Sequence, residues 1–185
     1  MLALASNLKR PALTSSSMET ITARAAYLMG DAIDEWAGEA VDAWTGLLEV
    51  FVQIKRDVDQ QLETEHALSM SMVGLLGRLA AADRRTVRLT DLAGAMGLSL
   101  SRVSRIVDIL EGRGLVERQA CLTDARATNA HLTRKGLLLV RKAQATAAAA
   151  VRRRFLDPLE SDEARILARV FARLQNTPDS KSERA

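Results

Sequence analysis

Thr90-Asp91-Leu92-Ala93-Gly94-Ala95-Met96-Gly97-Leu98-Ser99-Leu100-Ser101-Arg102-Val103-Ser104-Arg105-Ile106 is the stretch on which the reading of this chain turns. Ala93, Gly97 and Val103 stand at the spacing of a helix-turn-helix. Ala93 is small, as a second helix crossing close to the first requires. Gly97 falls where the chain must leave a helix with positive φ, a conformation that a Cβ penalises. Val103 returns an apolar side chain to the shared core. Ser101, Arg102, Ser104 and Arg105 fall on the opposite face, free to meet a charged surface. Thr90 is expected to cap the first helix and Ser99 or Ser101 the second.

Downstream, Ile106, Val107, Ile109 and Leu110 carry the second helix on to Gly112. Gly114-Leu115-Val116-Glu117-Arg118 then reads as a strand. A polar loop follows with Cys121, Asp124 and Arg126, and Ala130-His131-Leu132-Thr133 reads as a returning strand. Strand, loop and strand directly after such a helix make a β-wing. Upstream, Val87-Arg88-Leu89 is long enough for one edge strand. Before it, Ser69 caps a short buried helix built on Met72, Val73, Leu75, Leu76, Leu79 and Ala80.

Two long apolar segments flank this unit. Between Glu39 and Leu62, the positions Val41, Trp44, Leu48, Phe51, Lys55, Val58 and Leu62 recur by threes and fours, and Ala40, Leu47 and Ile54 widen the stripe. A helix this apolar needs another helix to bury it, either in its own core or in a second copy. Thr133 caps the other segment, which runs to Leu156 through the four alanines 147–150 and stops at Asp157-Pro158. Ser161-Asp162-Glu163 opens a last amphipathic helix with Ile166, Leu167, Val170, Phe171 and Leu174. Residues 1–17 lack periodicity and read as a disordered tail. Ser16-Ser17-Met18-Glu19 has the form of a capping box, so 18–38 reads as an extra N-terminal helix, and 176–185 as a frayed end.

Composition narrows the function. The 185 residues carry a net charge of +3 and only 3% aromatics. The charge is unevenly spread, with five basic residues against eleven acids in 1–65, and 21 against 12 thereafter. A basic half favours a polyanionic partner, although charge alone leaves nucleic acid, membrane surface and plain solvation open. Cys121 is the one cysteine, which excludes an intrachain disulfide and fits a reducing cytosol. No run approaches a membrane span of about 18 apolar residues, and the start lacks a basic signal-peptide region.

The order of elements and the local motifs resemble the MarR type (multiple antibiotic resistance regulator) of winged helix-turn-helix transcription factor. The resemblance covers roughly residues 39–175. It is carried by Gly97-Leu98-Ser99 with Val103 to Asp108, by Leu110-Glu111-Gly112-Arg113-Gly114-Leu115-Val116-Glu117-Arg118, by Asp124-Ala125-Arg126, and by Leu132-Thr133 with Gly136. It implies a mainly α fold with a small β-wing: a winged helix-turn-helix at 66–133 between dimerisation helices at 39–65 and 134–175. It further implies a homodimer on double-stranded DNA, in the cytoplasm at the nucleoid. The expected function is sequence-specific regulation, as a repressor at an inverted-repeat operator. Many relatives release DNA on binding a small aromatic or phenolic effector. Residues 1–38 exceed the usual family start.

On this reading Ser101, Arg102, Ser104 and Arg105 contact the major groove, since arginine pairs bidentately with guanine and serine hydroxyls reach phosphate or base edges. Arg126 reaches the minor groove or its phosphates with Asp124 orienting it. Arg88, Arg113 and Arg118 read as phosphate contacts or surface charge. Trp36, Trp44, Met70 and Met72 could line an effector cleft, but at helical spacing they read first as core. Other chemistry finds little support. Neither His66 nor His131 has an evident partner, no nucleophile elbow is present, and two histidines with one cysteine do not make a zinc site. No enzyme, cofactor or metal is expected. Cys121 has no resolving cysteine to act as a redox sensor. The rival reading is a winged helix used for protein contacts or for non-specific DNA packing.

Overall fold

The computed structural model describes residues 36, 38–121 and 124–176. The expected tail at 1–17, nearly all of the extra helix at 18–38, and the end beyond Asn176 lie outside them. Two compact units divide the chain, Met1–Gln53 and Ile54–Ala185. A single helix, α1 (Gly38–His66), runs through the boundary. In the first unit Thr45 Oγ1 donates to the Val41 carbonyl one turn back, at 2.8 Å. Leu47 and Val50 are exposed there, and Phe51 keeps 63% of its surface in water.

In the second unit the elements come in the expected order, but the stretch read as a polar loop is mostly strand. One strand runs on to Cys121 and the next starts at Asp124 and includes Arg126, because the hairpin pairs out to its tip. After α1 come α2 (Met70–Ala81), a 3₁₀ turn at Asp83–Arg85, β1 (Thr86–Arg88), α3 (Leu89–Met96) and α4 (Leu100–Gly112). Then follow β2 (Val116–Cys121), β3 (Asp124–Leu132), α5 (Arg134–Val151), a π turn at Arg152–Leu156 and α6 (Glu163–Gln175). The strands form one antiparallel sheet in the order β1-β3-β2, with Val87 opposite Ala130 and Val116 opposite Leu132. Pairing is irregular between Ala120 and Cys121, at the tip of the β2–β3 hairpin. The fold is therefore mainly α with a small sheet, as expected.

One core serves this unit. Val58 and Leu62 of α1, Leu75, Leu76 and Leu79 of α2, Leu92 of α3, Val103, Val107 and Leu110 of α4, and Val140 and Ala143 of α5 are all buried in it. No charged or polar residue joins them among the described residues. The side chains of α6 form a different case: none is buried, and Ile166 and Leu174 are exposed, Leu174 by 58%.

Helix ends are set by side chains. Ser69 Oγ accepts from Met72 N and caps α2, and Ser99, rather than Ser101, caps α4 by accepting from Arg102 N. Thr90 does not cap α3. That helix begins one residue earlier, at Leu89, with Arg88 as the flanking residue and no side-chain cap. Burial of Leu89 draws the preceding strand straight into the helix, and Thr90 Oγ1 turns to Asp91 Oδ1 instead, at 3.2 Å. Thr133 caps α5 as expected, and does more. Its Oγ1 accepts from Gly136 N at 3.0 Å and donates to the carbonyls of Gly114 and Leu115, at 2.9 and 3.2 Å. The end of the wing, the start of α5 and the start of β2 are thereby tied at one hydroxyl.

Asp59 joins α1 to α2. Its Oδ1 accepts from the Met70 amide at 2.8 Å, an amide that the helix leaves unpaired, and its Oδ2 pairs with Lys55 Nζ at 2.7 Å. Partial burial pushes the carboxyl up, but the Lys55 ammonium and the Met70 amide together outweigh it and hold the pKa below the ordinary value. A carboxylate depressed in the folded state stabilises the fold above its unfolded pKa of about 3.9, and that contribution fades as pH falls through the folded value. The Asp59→Asn variant is accordingly expected to lose about 0.5–1.5 kcal/mol near neutral pH. The gap from the parent should close below about pH 4. Urea unfolding of both proteins across that range checks it, and a gap that persists in acid would contradict the assignment.

Candidate nucleic-acid interface

The helix-turn-helix is built by the turn between α3 and α4. Gly97 ends α3 at φ 61° and ψ 32°, in the left-handed region. This lets Leu98 N donate to the Ala93 carbonyl at 3.0 Å and Gly97 N to Gly94 at 3.2 Å, closing the end of the helix. Ala93 is buried, as a close crossing requires. Val103, Ile106, Val107 and Leu110 then turn one face of α4 inward, and the other face follows from the helical period.

That outer face holds most of the expected site. Ser101, Arg102 and Arg105 are exposed, together with Leu100, Asp108 and Ile109. Ser101 Oγ lies 3.1 Å from the capping Ser99 Oγ. Among the described residues, neither the Arg102 nor the Arg105 guanidinium is held by a hydrogen bond or an ion pair. Two guanidiniums side by side on a rigid helix, both uncommitted, are available to an external anion.

Ser104 differs. It is half-buried, and its Oγ and carbonyl accept from Arg118 Nη2, at 3.0 and 3.1 Å. Arg118 also pairs with Asp108 and, through Nε, with Glu111 Oε2 at 3.3 Å, while its amide donates to Glu111 Oε1 at 2.8 Å. This arginine is engaged within the fold as a clamp between β2 and α4. Arg113 is likewise engaged, with its guanidinium donating to the carbonyls of His66 and Ala67. The internal partners of both arginines are carbonyls and carboxylates that only folding brings near, so the sequence does not show them. The Glu111 and Arg118 spacing was the one signal available in the sequence.

Asp124 and Arg126 stand in the first three residues of β3, at the hairpin tip. The structure thus places them on the wing, apart in sequence from the α4 group. Cys121 ends β2 beside the irregular pair. The two histidines do find partners, each of them hydrogen-bonded to a threonine, with Glu65 Oε2 also 3.8 Å from His66 Nε2. His131 Nδ1 lies 2.9 Å from Thr86 Oγ1, and His66 Nε2 lies 2.9 Å from Thr146 Oγ1. Thr146 Oγ1 donates to Glu65 Oε2 at 2.9 Å, so it accepts from the His66 ring. Among the described residues no three metal-ligating side chains cluster, and no helix is long and apolar enough to cross a membrane. A cleft of about 240 Å³ lies between α1 and the π turn, lined by Asp57, Gln61, Ala150, Arg153 and Arg154. It is polar, holds no aromatic side chain, and is smaller than the usual pocket for an organic ligand. Met72 packs against the core, whereas Met70 and Trp36 are exposed, by 40% and 42%.

Residues 79–128, from the end of α2 to the wing, match the model of the MarR family. Over that segment the chain is similar to the MarR family. Solved structures extend the likeness over the flanking helices. Sco3205, a MarR family transcriptional regulator from Streptomyces coelicolor solved in complex with DNA, is 28% identical. The match covers 80% of this chain and 93% of that one, with a TM-score of 0.69. AbsC, a MarR family transcriptional regulator from the same organism, is 29% identical over 77% of this chain and 98% of its own, with a TM-score of 0.66. CouR from Rhodococcus jostii RHA1, solved bound to p-coumaroyl-CoA, is 25% identical over 75% and 94%, with a TM-score of 0.59. The MarR likeness expected from the sequence is thus found in the fold and in the family model alike.

Proposed function

We propose that this chain is a transcriptional repressor that binds an inverted-repeat operator as a homodimer and is released by a small-molecule effector. The observation that carries the reading is the outer face of α4, where Arg102 and Arg105 are exposed and unspent beside Ser101. Ser101, Arg102, Ser104 and Arg105 meet the major groove, with the Ser104 hydroxyl proton free to seek an acceptor while Arg118 donates to its oxygen. Asp124 and Arg126 serve the wing contact to the minor groove or its phosphates. The bound DNA of Sco3205 supports this use of the fold. The excess of basic over acidic residues from His66 onward supports a polyanionic partner.

Homodimerisation is supported by apolar surface left bare in the single chain: Leu47, Val50 and Phe51 on α1, and Ile166 and Leu174 on α6. A second copy supplies matching faces, and two-fold symmetry of the protein then asks for two-fold symmetry of the operator. The p-coumaroyl-CoA of CouR supports an aromatic or phenolic effector, acting by favouring a dimer whose recognition helices are badly spaced.

Selection of bound duplexes from a random pool tests the whole reading. The expected product is an inverted repeat with half-site centres about one helical turn, ~10 bp, apart. A pool that yields no enriched motif would instead favour a packing or protein-contact module.

A further inference from the structure

A ring of polar contacts closes around the junction of α1, α4 and α5, and Arg113 is its centre. The residue follows directly on α4, and its backbone is fixed to that helix. Gly114, at φ 67°, turns the chain so that its amide donates to the Glu111 carbonyl at 2.8 Å and Leu115 N donates to Leu110 at 2.9 Å. The side chain reaches the other way, to the last turn of α1. One terminal nitrogen donates to the Ala67 carbonyl and the other to the His66 carbonyl, the latter at 2.9 Å. Those carbonyls are acceptors that α1 leaves unpaired at the negative end of its dipole. Ala67 holds them in place in the left-handed conformation, at φ 51°, with Ala67 N on the Glu63 carbonyl and Leu68 N on Leu62. Lys135 Nζ of α5 donates to the Arg113 carbonyl at 2.7 Å, and Thr146 of α5 returns to His66 and Glu65 of α1.

Apolar contacts also join α1 to this unit, through Val58 and Leu62. They are non-directional, so they resist separation more than rotation. A planar guanidinium across two successive carbonyls is directional. We propose that Arg113 is a positioning residue that locks the angle between α1 and the recognition helix α4, and so sets the half-site separation that the homodimer accepts. The inference rests on the homodimeric reading above. Arg113 touches no base or phosphate in this role.

The test uses the full chain and duplexes carrying two copies of the selected half-site, with centres from about 8 to about 13 bp apart around the ~10 bp repeat. A duplex with one half-site is the control. The parent protein is expected to bind one separation best. Arg113→Ala should keep its affinity for the single half-site and lose about ten-fold of the preference among separations. Arg113→Lys, which keeps the charge but cannot span both carbonyls, should lose a smaller part of that preference, and it carries the test should the alanine variant fail to fold. Separation profiles unchanged in both variants would overturn the inference, as would a loss equal on the single half-site and on every separation. A parent protein bound specifically to one half-site, with no preferred separation, would overturn the paired reading and the link together.

Discussion

Replacing Gly136 with alanine is expected to destabilise the winged-helix unit by about 1–4 kcal/mol. An added Cβ would stand 2.1 Å from the Leu115 carbonyl oxygen, 2.7 Å from Leu132 Cδ1 and 3.0 Å from the Leu115 carbonyl carbon. The leucine methyl can swing aside; the carbonyl cannot. It accepts from Thr133 N at 3.1 Å and from Thr133 Oγ1 at 3.2 Å, and Thr133 in turn caps α5 through Gly136 N. Relief therefore means withdrawing the start of α5 from β2. Overpacking alone typically costs about 1–3 kcal/mol, and losing the cap adds about 1. The better helix propensity of alanine returns at most about 1 kcal/mol. Gly94 supplies the contrast, since its Cβ would meet nothing within 4 Å and its φ is ordinary. Gly94→Ala should raise stability by up to about 1 kcal/mol. Thermal and urea unfolding measure both, and a Gly136→Ala protein as stable as its parent would refute the account.

The second large effect falls on binding. Arg105→Ala is expected to lower operator affinity by about ten- to a hundredfold, the range of a lost bidentate arginine contact, and to relax sequence preference at one position per half-site. The effect on folding should be small, because Arg105 is exposed and makes no contact that the fold requires. Arg126→Ala should instead weaken binding to all duplexes alike and reduce the steepness of the salt dependence by about one phosphate contact per wing. Salt titrations on the selected operator and on a scrambled duplex separate the two. Equal losses on both duplexes for both variants would overturn this division of labour.

Much of the fold was legible because local chemistry and tertiary structure agree. Gly97 required a left-handed turn and has one; Ser69 and Thr133 announced caps and make them. The reading of Thr90 as a cap failed because burial of the neighbouring Leu89 outweighed the intrinsic preference of threonine. At the candidate site, the outward Arg102 and Arg105 followed from the 3.6-residue period, since one face of α4 is plainly apolar. Ser104 was half legible: its face was right, but its bond to Arg118 depends on strand β2 folding back across the helix.

The sequence alone determined the helix-turn-helix, the strand-loop-strand after it and the apolar stripes on either side. Each of these is written in residues a few positions apart, where periodicity and backbone preference act. Only the tertiary structure decided how the cations are divided. Arg102 and Arg105 remain available on the surface, while Arg113 and Arg118 are held by acceptors up to 47 positions distant. An arginine carries the same charge in either case. Whether it is spent depends on which carbonyls and carboxylates the packed helices bring within about 3 Å, and that is a property of the assembled core.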